Sequence, residues 1–512
     1  MKFASFLAAH AKMHGHKEAI ICEGRRLSFR ELEASTNRIA RGLRSAGVQV
    51  GDRVVVYLPN GVEFVQAFIA AIKAGALAVP VNLPLSAPEI AHILGDATPK
   101  AAFICGTTQT TFARAASGLP AVVRIGTDQH CDADLRMDEL AAEGDDSPLD
   151  VPHDAIDCMV GYTSGTTGRA KGVVLTQSNY LYVNGYLNGW HWGLTGDDRH
   201  LCTTPLAHRT GMARLMNVIF HGSTLVIMPR FDAAEATRLM RQERITVLGM
   251  VPTVGRMLLD EVESSPESFS SVRVALVTGE AFPLDVKKRL YAALPNVRFY
   301  SFYAMTEAGA IAGLDSSEQL TYPSSVGRIW PGVEVKLVDN RGFEVATGEG
   351  GEIWVRSGPP GLYSTMREYF RRPEDTAKTL HDGWVATGDM GRFDAEGYLY
   401  LMDRKKDMIL SGGYNIYSKE VESAIQEYPG IRDVAVIGVP DSMFGEAVAA
   451  YVEAEEGVEM SAQAVIDHCR ELIAGYKKPK YVFFVKTLPR NSTGKVLKTA
   501  LREQYRVEHP GH

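Results

Sequence analysis

The sequence predicts an α/β fold, with a large layered amino-terminal domain built on parallel-type sheets and a small α+β carboxyl-terminal domain. The chain has 512 residues, which is too many for one hydrophobic core, because single cores stop growing at about 250–300 residues. Short apolar segments alternate with amphipathic ones along its amino-terminal part. Strand, helix and strand at this spacing indicate parallel sheets with right-handed crossovers.

The predicted elements begin with an amphipathic helix. Three histidines and a lysine interrupt its apolar stretch within residues 10–16, which argues against a signal peptide. Ser28 and Glu31 have the spacing of a capping box, which starts a second helix. A third helix is expected over residues 61–74. Strands are expected over residues 53–58, 77–81, 101–105, 157–162, 224–228, 246–251 and 272–278.

The pattern changes after residue 327. Short strands between glycine-rich turns predict a small β subdomain over residues 327–404. A charged segment, residues 403–407, follows, and we place the domain boundary there, between an amino-terminal domain of residues 1–404 and a mobile carboxyl-terminal domain of residues 405–512. In the latter, helices are expected over residues 418–428 and 462–473, and strands over 434–439 and 447–453.

Composition and charge exclude several classes of function. The formal net charge of −7 offers no basic face to DNA or RNA, so no nucleic-acid partner is expected. No apolar run approaches the ~18–20 residues of a membrane span. The six cysteines include no Cys-x-x-Cys pair, which argues against a zinc site or a redox dithiol and favours a cytoplasmic protein with reduced, buried cysteines. The sequence leaves a homodimer open.

A glycine- and hydroxyl-rich stretch after a predicted strand is the strongest local signal of chemistry. Glycines let backbone amides point inward without a Cβ clash, and hydroxyls and a lysine can bind phosphate oxygens. The stretch is not a P-loop, because it lacks Gly-x-x-x-x-Gly-Lys-Ser/Thr. Taken alone, it fits a flexible polar turn equally well. The candidate phosphate ligands are Thr163, Ser164, Gly165, Thr166, Thr167, Gly168 and Lys171.

Residues 162–172 closely resemble the phosphate-loop signature of the adenylate-forming superfamily, which contains acyl-CoA synthetases, peptide-synthetase adenylation domains and luciferases. Further motifs follow in the order of that family. Residues 303–307 (Tyr-Ala-Met-Thr-Glu) resemble Tyr-Gly-x-Thr-Glu, and residues 387–389 are Thr-Gly-Asp. Residues 403–407 resemble the hinge, and residues 489–495 resemble the motif of the catalytic lysine. The resemblance covers essentially the whole chain.

The resemblance implies an acid–CoA ligase that uses ATP, Mg²⁺ and coenzyme A to convert a small-molecule carboxylic acid into an acyl-adenylate and then into a thioester. Because a carboxylate must approach a phosphate, catalysis depends on positioning and on neutralising charge. By resemblance, Lys495 bridges the carboxylate and the α-phosphate, Thr306 donates to that phosphate and Glu307 holds the Mg²⁺ ion.

Nucleotide contacts are also implied. Tyr303 would face the adenine, Asp389 would accept hydrogen bonds from the ribose hydroxyls, and Arg404 would reach the ribose or a phosphate. A turn-capping aspartate is the alternative for Asp389. The loop along the base comprises Gly279, Glu280 and Ala281.

The second half-reaction needs coenzyme A to reach the adenylate. In the family, the carboxyl-terminal domain rotates about a hinge, which by resemblance is Lys406. Gly412, Gly413 and Tyr414 would then line the pantetheine path, since glycine permits close approach to backbone. The basic residues within 477–480 fit the CoA phosphates or a solvated face equally well.

The acyl pocket is less well specified. His208 resembles the pocket histidine of the family and is a candidate for the catalytic set; a histidine satisfied within the core is the alternative. Ala207 replaces the usual aromatic residue and should widen the site, whereas Ala304 replaces glycine and should narrow it. Met212 is the other candidate lining residue. We expect a medium-sized aliphatic or aromatic acid.

Arg209 and Arg214 follow the pocket histidine. Arginine is mostly exposed in proteins, so we expect both to face outward. If either points inward, the acid carries a second polar or anionic group, because a buried arginine needs a partner.

Other functions remain open on the sequence alone. An acyl-adenylate ligase could pass the acyl group to a carrier protein, and a catalytically inactive relative could act as a binding protein. A peptide-synthetase adenylation domain is disfavoured, because no aspartate follows Pro205 to hold an amino group. The intact Lys495, Glu307 and Asp389 argue against the inactive relative.

Overall fold

The computed structural model describes residues 2–142, 144–151, 156–163, 169–279, 282–412, 414–490 and 496–509. Two compact units make up the chain. Unit 1 comprises Met1–Val335 and Val355–Ala386, and unit 2 comprises Lys336–Trp354 and Thr387–His512. The domain boundary after residue 404 stays a prediction.

Unit 1 contains most of the helices. They are α1 (Phe3–Met13), α2 (Phe29–Ser45), α3 (Val62–Lys73), α4 (Ala87–Ala97), α5 (Gln109–Ala116), α6 (Met137–Ala141), α7 (Gln177–Tyr180), α8 (Asn188–Trp192), α9 (Arg209–His221), α10 (Ala233–Gln242), α11 (Pro252–Ser264), α12 (Leu284–Ala293) and α13 (Pro373–Thr379). A π-helical segment, Leu181–Leu187, joins α7 to α8. Both halves of the predicted capping box of α2 are present: Ser28 N–H donates to Glu31 over 2.8 Å, and Glu31 N–H donates back over 3.3 Å.

Two large sheets form the framework of unit 1. Their strands are β1 (Glu18–Cys22), β2 (Arg25–Ser28), β3 (Arg53–Val56), β4 (Leu77–Pro80), β5 (Ala101–Ile104), β6 (Val123–Gly126), β7 (Leu135–Arg136), β8 (Asp157–Thr163), β9 (Lys171–Thr176), β10 (Arg199–Cys202), β11 (Thr224–Ile227), β12 (Val247–Met250), β13 (Val274–Thr278), β14 (Arg298–Met305), β15 (Gly309–Leu314), β16 (Arg328–Ile329) and β19 (Glu368–Tyr369). The nine-stranded sheet has the order β16-β15-β14-β13-β12-β10-β11-β1-β2, and the eight-stranded sheet has the order β19-β9-β8-β4-β3-β5-β6-β7.

The central strands of both sheets run parallel, as the sequence predicted. β10, β12, β13 and β14 are parallel neighbours in one sheet, and β3, β4, β5 and β6 in the other. α1, α2, α3 and α9 pack between the two sheets, so every residue of α3 except Glu63 is buried. α10, α11 and α12 cover the far face of one sheet, and α4 and α5 cover the far face of the other.

The strands of a five-stranded sheet come from residues 334–404. They are β17 (Glu334–Val338), β18 (Gly351–Arg356), β20 (Leu380–His381), β21 (Trp384–Phe393) and β22 (Leu399–Arg404), in the order β17-β18-β21-β20 with β22 paired to β21.

The rest of unit 2 is an α+β fold. Its elements are β23 (Ile409–Ser411), β24 (Tyr414–Ile416), α14 (Ser418–Gln426), β25 (Ile431–Asp441), β26 (Gly445–Ala454), α15 (Ala462–Leu472), β27 (Tyr481–Val485) and α16 (Lys498–Glu508). The long β25–β26 hairpin is its central feature, and α14 and α15 pack with it in one hydrophobic cluster. Among the described residues, no helix combines the length and the apolar character that crossing a membrane requires.

Candidate active site

The predicted phosphate loop joins two antiparallel strands of unit 1. Thr163 ends β8 and lies directly opposite Lys171, the first residue of β9. The intervening candidates, Ser164, Gly165, Thr166, Thr167 and Gly168, lie outside the described residues. The Lys171 ammonium lies 2.8 Å from the Asp375 carboxylate and 5.1 Å from the centre of the Tyr369 ring.

The Glu307 carboxylate is the acidic centre of this part of unit 1. Its Oε1 accepts a hydrogen bond of 3.3 Å from the Thr163 hydroxyl and one of 3.1 Å from the Tyr369 hydroxyl. Burial, reinforced by the Glu307 carboxylate, raises the pKa of Tyr369, so Tyr369 keeps the proton that it donates. The carboxylate is therefore oriented by two hydroxyl donors.

The backbone that carries Glu307 is tied to the segment around Ser364. Met366 N–H donates to the Glu307 carbonyl over 2.7 Å, and the Ser364 hydroxyl donates to the carbonyls of Ala308 and Ala310. Gly309 has φ +73°, and a Cβ there would lie 2.4 Å from the Ser364 carbonyl oxygen. Only glycine fits at this position.

The Glu307 carboxylate is an oxygen ligand of the kind that suits Mg²⁺. The ion prefers oxygen ligands and is commonly bound by one or two carboxylates together with substrate phosphates. Glu307 is 9% exposed and stands next to Thr163, which begins the predicted phosphate loop. The residues present therefore fit the ion.

Both arginines after the pocket histidine point inward, so the expectation that they face outward is wrong. Arg209 begins α9 and donates from Nη1 to the Thr306 carbonyl over 2.7 Å. Arg214 lies farther along α9 and is 1% exposed. The reason is the position of α9 between two sheets, which leaves the helix without a fully solvated face.

The acyl-pocket candidates occupy different environments. His208 is exposed and caps α9, because its Nδ1 accepts the Thr210 N–H over 3.3 Å; it is not a core histidine. Ala207 is partly buried, and Met212 is fully buried in the core between the sheets. Ala304 follows an irregularity in the pairing of β14 with β15.

The adenine-side candidates lie at the carboxyl ends of β13 and β14. The Thr278 hydroxyl donates to the Phe302 carbonyl over 3.1 Å, and Gly279 follows with φ +100°. Tyr303 is 8% exposed and pairs with Ala312. Glu280 and Ala281 lie outside the described residues.

Asp389 and Arg404 are neighbours in unit 2. They face each other across β21 and β22, and Arg404 Nε lies 3.1 Å from Asp389 Oδ1. The Thr387 hydroxyl accepts the Asp389 N–H over 3.1 Å, and Gly388 between them has φ +71°. The Thr-Gly-Asp motif thus lies within β21 and presents the carboxylate beside the guanidinium of β22.

The predicted hinge residue, Lys406, lies in a turn of unit 2. Asp407 N–H donates to the Arg404 carbonyl over 2.9 Å, which closes the turn. Lys405 pairs with Glu352 at 2.9 Å, and Arg502 pairs with Asp407 at 2.9 Å. These contacts anchor both sides of Lys406.

The predicted CoA-binding residues follow in β23 and β24. Gly412 has φ +56° and donates its N–H to the Phe444 carbonyl over 2.9 Å. Tyr414 is 58% exposed and stacks on Tyr476 with a centroid distance of 4.6 Å. Gly413 lies outside the described residues.

Lys495 also lies outside the described residues. Arg490, near the start of its motif, and Val496, which follows the motif, pair as an antiparallel bridge. Leu497 N–H donates to the Pro489 carbonyl over 2.7 Å, next to that bridge.

Sequence motifs did not point to Tyr369 and Asp375. Tyr369 belongs to the short strand β19, which pairs with β9, and Asp375 lies in α13. Both reach the site only because β19 adds to the edge of the eight-stranded sheet. No local motif marks this long-range pairing.

Comparisons with known families and proteins match nearly the whole chain. A family described as AMP-binding enzyme matches residues 7–370, and the AMP-binding enzyme C-terminal domain matches residues 420–495. The chain is 36% identical to the long-chain-fatty-acid–CoA ligase FadD13 of Mycobacterium tuberculosis, over 95% of this chain and 94% of that protein. It is 35% identical to a feruloyl-CoA synthase of Amycolatopsis sp, over 98% of each.

Two solved structures also match this chain over nearly its full length. ATP-bound MatB from Rhodopseudomonas palustris matches with a TM-score of 0.88 at 31% identity, over 99% of each chain. The O-succinylbenzoate coenzyme A synthetase MenE from Bacillus subtilis, in complex with ATP and magnesium ion, matches with a TM-score of 0.84 at 29% identity, over 98% of each chain.

Proposed function

We infer the reaction from one premise: the chain belongs to the AMP-binding enzyme family. It is an AMP-forming acyl-CoA ligase, which uses ATP to convert a carboxylic acid into an acyl-adenylate and then transfers the acyl group to coenzyme A. One observation carries the assignment of roles to residues. Thr163 and Glu307 belong to motifs 144 positions apart, and their side chains share a hydrogen bond.

In the first half-reaction, a carboxylate oxygen of the acid attacks the α-phosphorus of ATP. The bond from that phosphorus to the bridging oxygen breaks, and pyrophosphate leaves with the electron pair. Lys495 supplies a compact positive charge between the two anions. The Thr306 hydroxyl donates to the α-phosphate, a role supported by the fixed position of its backbone beside Arg209.

Glu307 holds Mg²⁺ in this proposal, and the ion supplies charge neutralisation at the phosphates. Thr163 and Tyr369 orient the Glu307 carboxylate. The phosphates bind to the loop after Thr163, through Ser164, Gly165, Thr166, Thr167, Gly168 and Lys171. Release of Lys171 from Asp375 would free its ammonium for a phosphate oxygen.

The nucleoside is assigned to residues from two regions of the sequence, 279–303 and 389–404. Asp389 accepts the ribose hydroxyls and Arg404 binds the ribose or a phosphate; their ion pair supports the assignment, because it holds the two side chains next to each other. The adenine lies along Tyr303 and the loop residues Gly279, Glu280 and Ala281.

In the second half-reaction, the sulfur of coenzyme A attacks the acyl carbonyl carbon. The thiol loses its proton, the bond from that carbon to the phosphate oxygen breaks, and AMP leaves with the electron pair. Gly412, Gly413 and Tyr414 contact the pantetheine arm after rotation at Lys406. The exposed stack of Tyr414 on Tyr476 supports a ligand-binding surface there.

The acyl pocket is assigned to Ala207, His208, Met212 and Ala304. We also propose a cytoplasmic location, supported by six cysteines that are all free and buried. The homodimer that the sequence leaves open is a question for light scattering of the purified protein.

The test uses purified protein with Mg-ATP, coenzyme A and a panel of carboxylic acids. AMP, pyrophosphate and thioester should form in equal amounts with the correct acid. Adenylate that accumulates while coenzyme A is untouched would contradict the CoA-ligase function and favour transfer to a carrier protein. Absence of AMP with every acid would contradict the adenylating function itself.

A further inference from the structure

Arg214 is a buried cation that has no salt-bridge partner in the described part of the chain. Its side chain is 1% exposed, and within the described residues its Nε and Nη1 have no hydrogen-bond partner. Burial lowers its pKa to about 10, a shift opposed by the Cys202 thiol. A guanidinium stays charged at neutral pH, so the interior of unit 1 holds a positive charge that needs an anion.

The position of Arg214 connects it with the acyl site. Its guanidinium packs against Gly249 of β12, where a Cβ would lie 2.5 Å from Nε. Gly249 is level with Cys202 on one neighbouring strand and with Leu276 on the other. Thr278, which precedes the adenine-side loop, is two residues beyond Leu276, or about 7 Å at a strand rise of roughly 3.3 Å per residue.

Ligands of open parallel sheets bind at the carboxyl ends of the strands. β10 ends at Cys202, β12 at Met250 and β13 at Thr278, so Arg214 lies just inside that edge. The Arg214 guanidinium also lies 5.8 Å from the centre of the Trp192 ring, and Trp192 packs against Phe302 of β14. Trp192 thus contacts both the Arg214 guanidinium and Phe302, which pairs with Thr278 at this edge.

Other polar groups around Arg214 are also unsatisfied. Asn217, one turn along α9, has no partner for Nδ2, and Trp192 has none for Nε1, among the described residues. His200 is 0% exposed and lacks partners for both ring nitrogens within the same residues. Buried polar groups are normally paired with protein or ordered water. Several unpaired polar groups near an unpaired cation leave an unmet demand for hydrogen-bond partners in this region.

We propose that Arg214 determines the substrate class of the acyl site: it binds an anionic group at the far end of the acid, so the substrate is a dicarboxylic acid. The proposal rests on the proposed function, because it assumes that the first carboxylate is activated beside Thr306. Arg214 follows Arg209, which contacts Thr306, by five residues of α9. That spacing is a helix rise of about 7.5 Å, suited to an acid of medium length.

The test compares α,ω-dicarboxylic acids of increasing length, and benzene dicarboxylic acids, with the monoamide of each. The amide keeps the shape of the distal group and removes its charge. For the best length, kcat/KM for the diacid should exceed that for the monoamide by about 10- to 100-fold, the range expected for a hydrogen-bonded charge pair. The difference should lie mainly in KM, because Arg214 binds a part of the acid that does not react.

Variants separate recognition from folding. Arg214→Met should abolish the preference for the diacid and retain activity with the monoamide, whereas Arg214→Lys should keep part of it. Lys287→Met is the matched control, because Lys287 is a buried cation of α12, 1% exposed, that donates to the Pro323 carbonyl. It should leave the preference unchanged.

Binding to the wild-type protein gives a readout that needs no variant. The diacid should raise the melting temperature more than its monoamide does, in the absence of ATP. Equal kcat/KM for every diacid and its monoamide, or a preference that survives Arg214→Met, would overturn the inference and leave the ligase function intact. Absence of AMP with all acids would instead count against the ligase function.

Discussion

Nη1 of Arg209 lies 2.7 Å from the backbone carbonyl oxygen of Thr306 and donates a hydrogen bond to it. The bond joins the first residue of α9 to the residue that precedes Glu307. Burial lowers the pKa of Arg209, while Tyr180 and Glu307 oppose that shift. The guanidinium therefore stays charged and fixes the backbone from which both Thr306 and Glu307 project.

Arg209→Met should slow ATP–pyrophosphate exchange by about 10- to 100-fold, because a hydrogen bond from a charged donor contributes about 1.5–3 kcal/mol. The loss should appear in kcat as much as in KM for ATP, since Thr306 acts in the transition state. Arg256→Met, at an exposed position of α11, is the control. Exchange at the wild-type rate would mean that Arg209 does not position Thr306.

Glu307→Gln should raise the Mg²⁺ concentration needed for half-maximal activity and lower kcat by about 10²-fold or more, as expected for loss of a charge-stabilising group. Glutamine keeps an oxygen that can accept from Thr163 and Tyr369 but removes the negative charge. Tyr369→Phe removes one donor to Oε1 and keeps the charge, so its effect should be smaller. An unchanged Mg²⁺ dependence in Glu307→Gln would refute the metal role.

Much of the fold could be predicted because its signals are local. The strand expected over residues 157–162 is Asp157–Thr163, and the helix expected over residues 61–74 is Val62–Lys73. Apolar periodicity and glycine or proline boundaries determine such elements. The capping box at Ser28 depends on two side chains three residues apart, so it could also be predicted from the sequence.

The orientation of the arginines could not be predicted in the same way. Arg209 contacts Thr306, which follows β14, and Arg214 packs against Gly249 of β12; both contacts are distant in sequence. A single helix pattern cannot tell that sheets cover it on both sides.

Asp389→Asn should reduce discrimination between ATP and 2′-deoxy-ATP. The neutral amide accepts hydrogen bonds from the ribose hydroxyls less strongly than the carboxylate does. The value of kcat/KM for ATP should therefore fall by about 10- to 100-fold, the range for a hydrogen bond to a charged group. The loss should be smaller with the deoxy nucleotide, which lacks one of those hydroxyls. Steady-state kinetics with both nucleotides measure this ratio. Equal losses with both nucleotides would show that Asp389 is a structural residue paired with Arg404.

Lys495→Ala should reduce adenylation by about 10²–10³-fold, because it removes the charge between two anions. Thioester formation from a supplied acyl-adenylate should continue at nearly the wild-type rate. Single-turnover assays of each half-reaction measure the two effects separately. Equal loss in both half-reactions would refute a role for Lys495 that is confined to the first.

Gly249→Ala should destabilise the protein through Arg214. The added Cβ would lie 2.5 Å from Arg214 Nε, closer than carbon and nitrogen can approach without displacement. Overpacking of this kind costs about 1–3 kcal/mol, so the melting temperature should fall. In an Arg214→Ala background the clash is absent, and the cost of Gly249→Ala should largely disappear. Thermal unfolding of the four proteins in this cycle measures the coupling, and additive losses would show that the two residues do not press on each other.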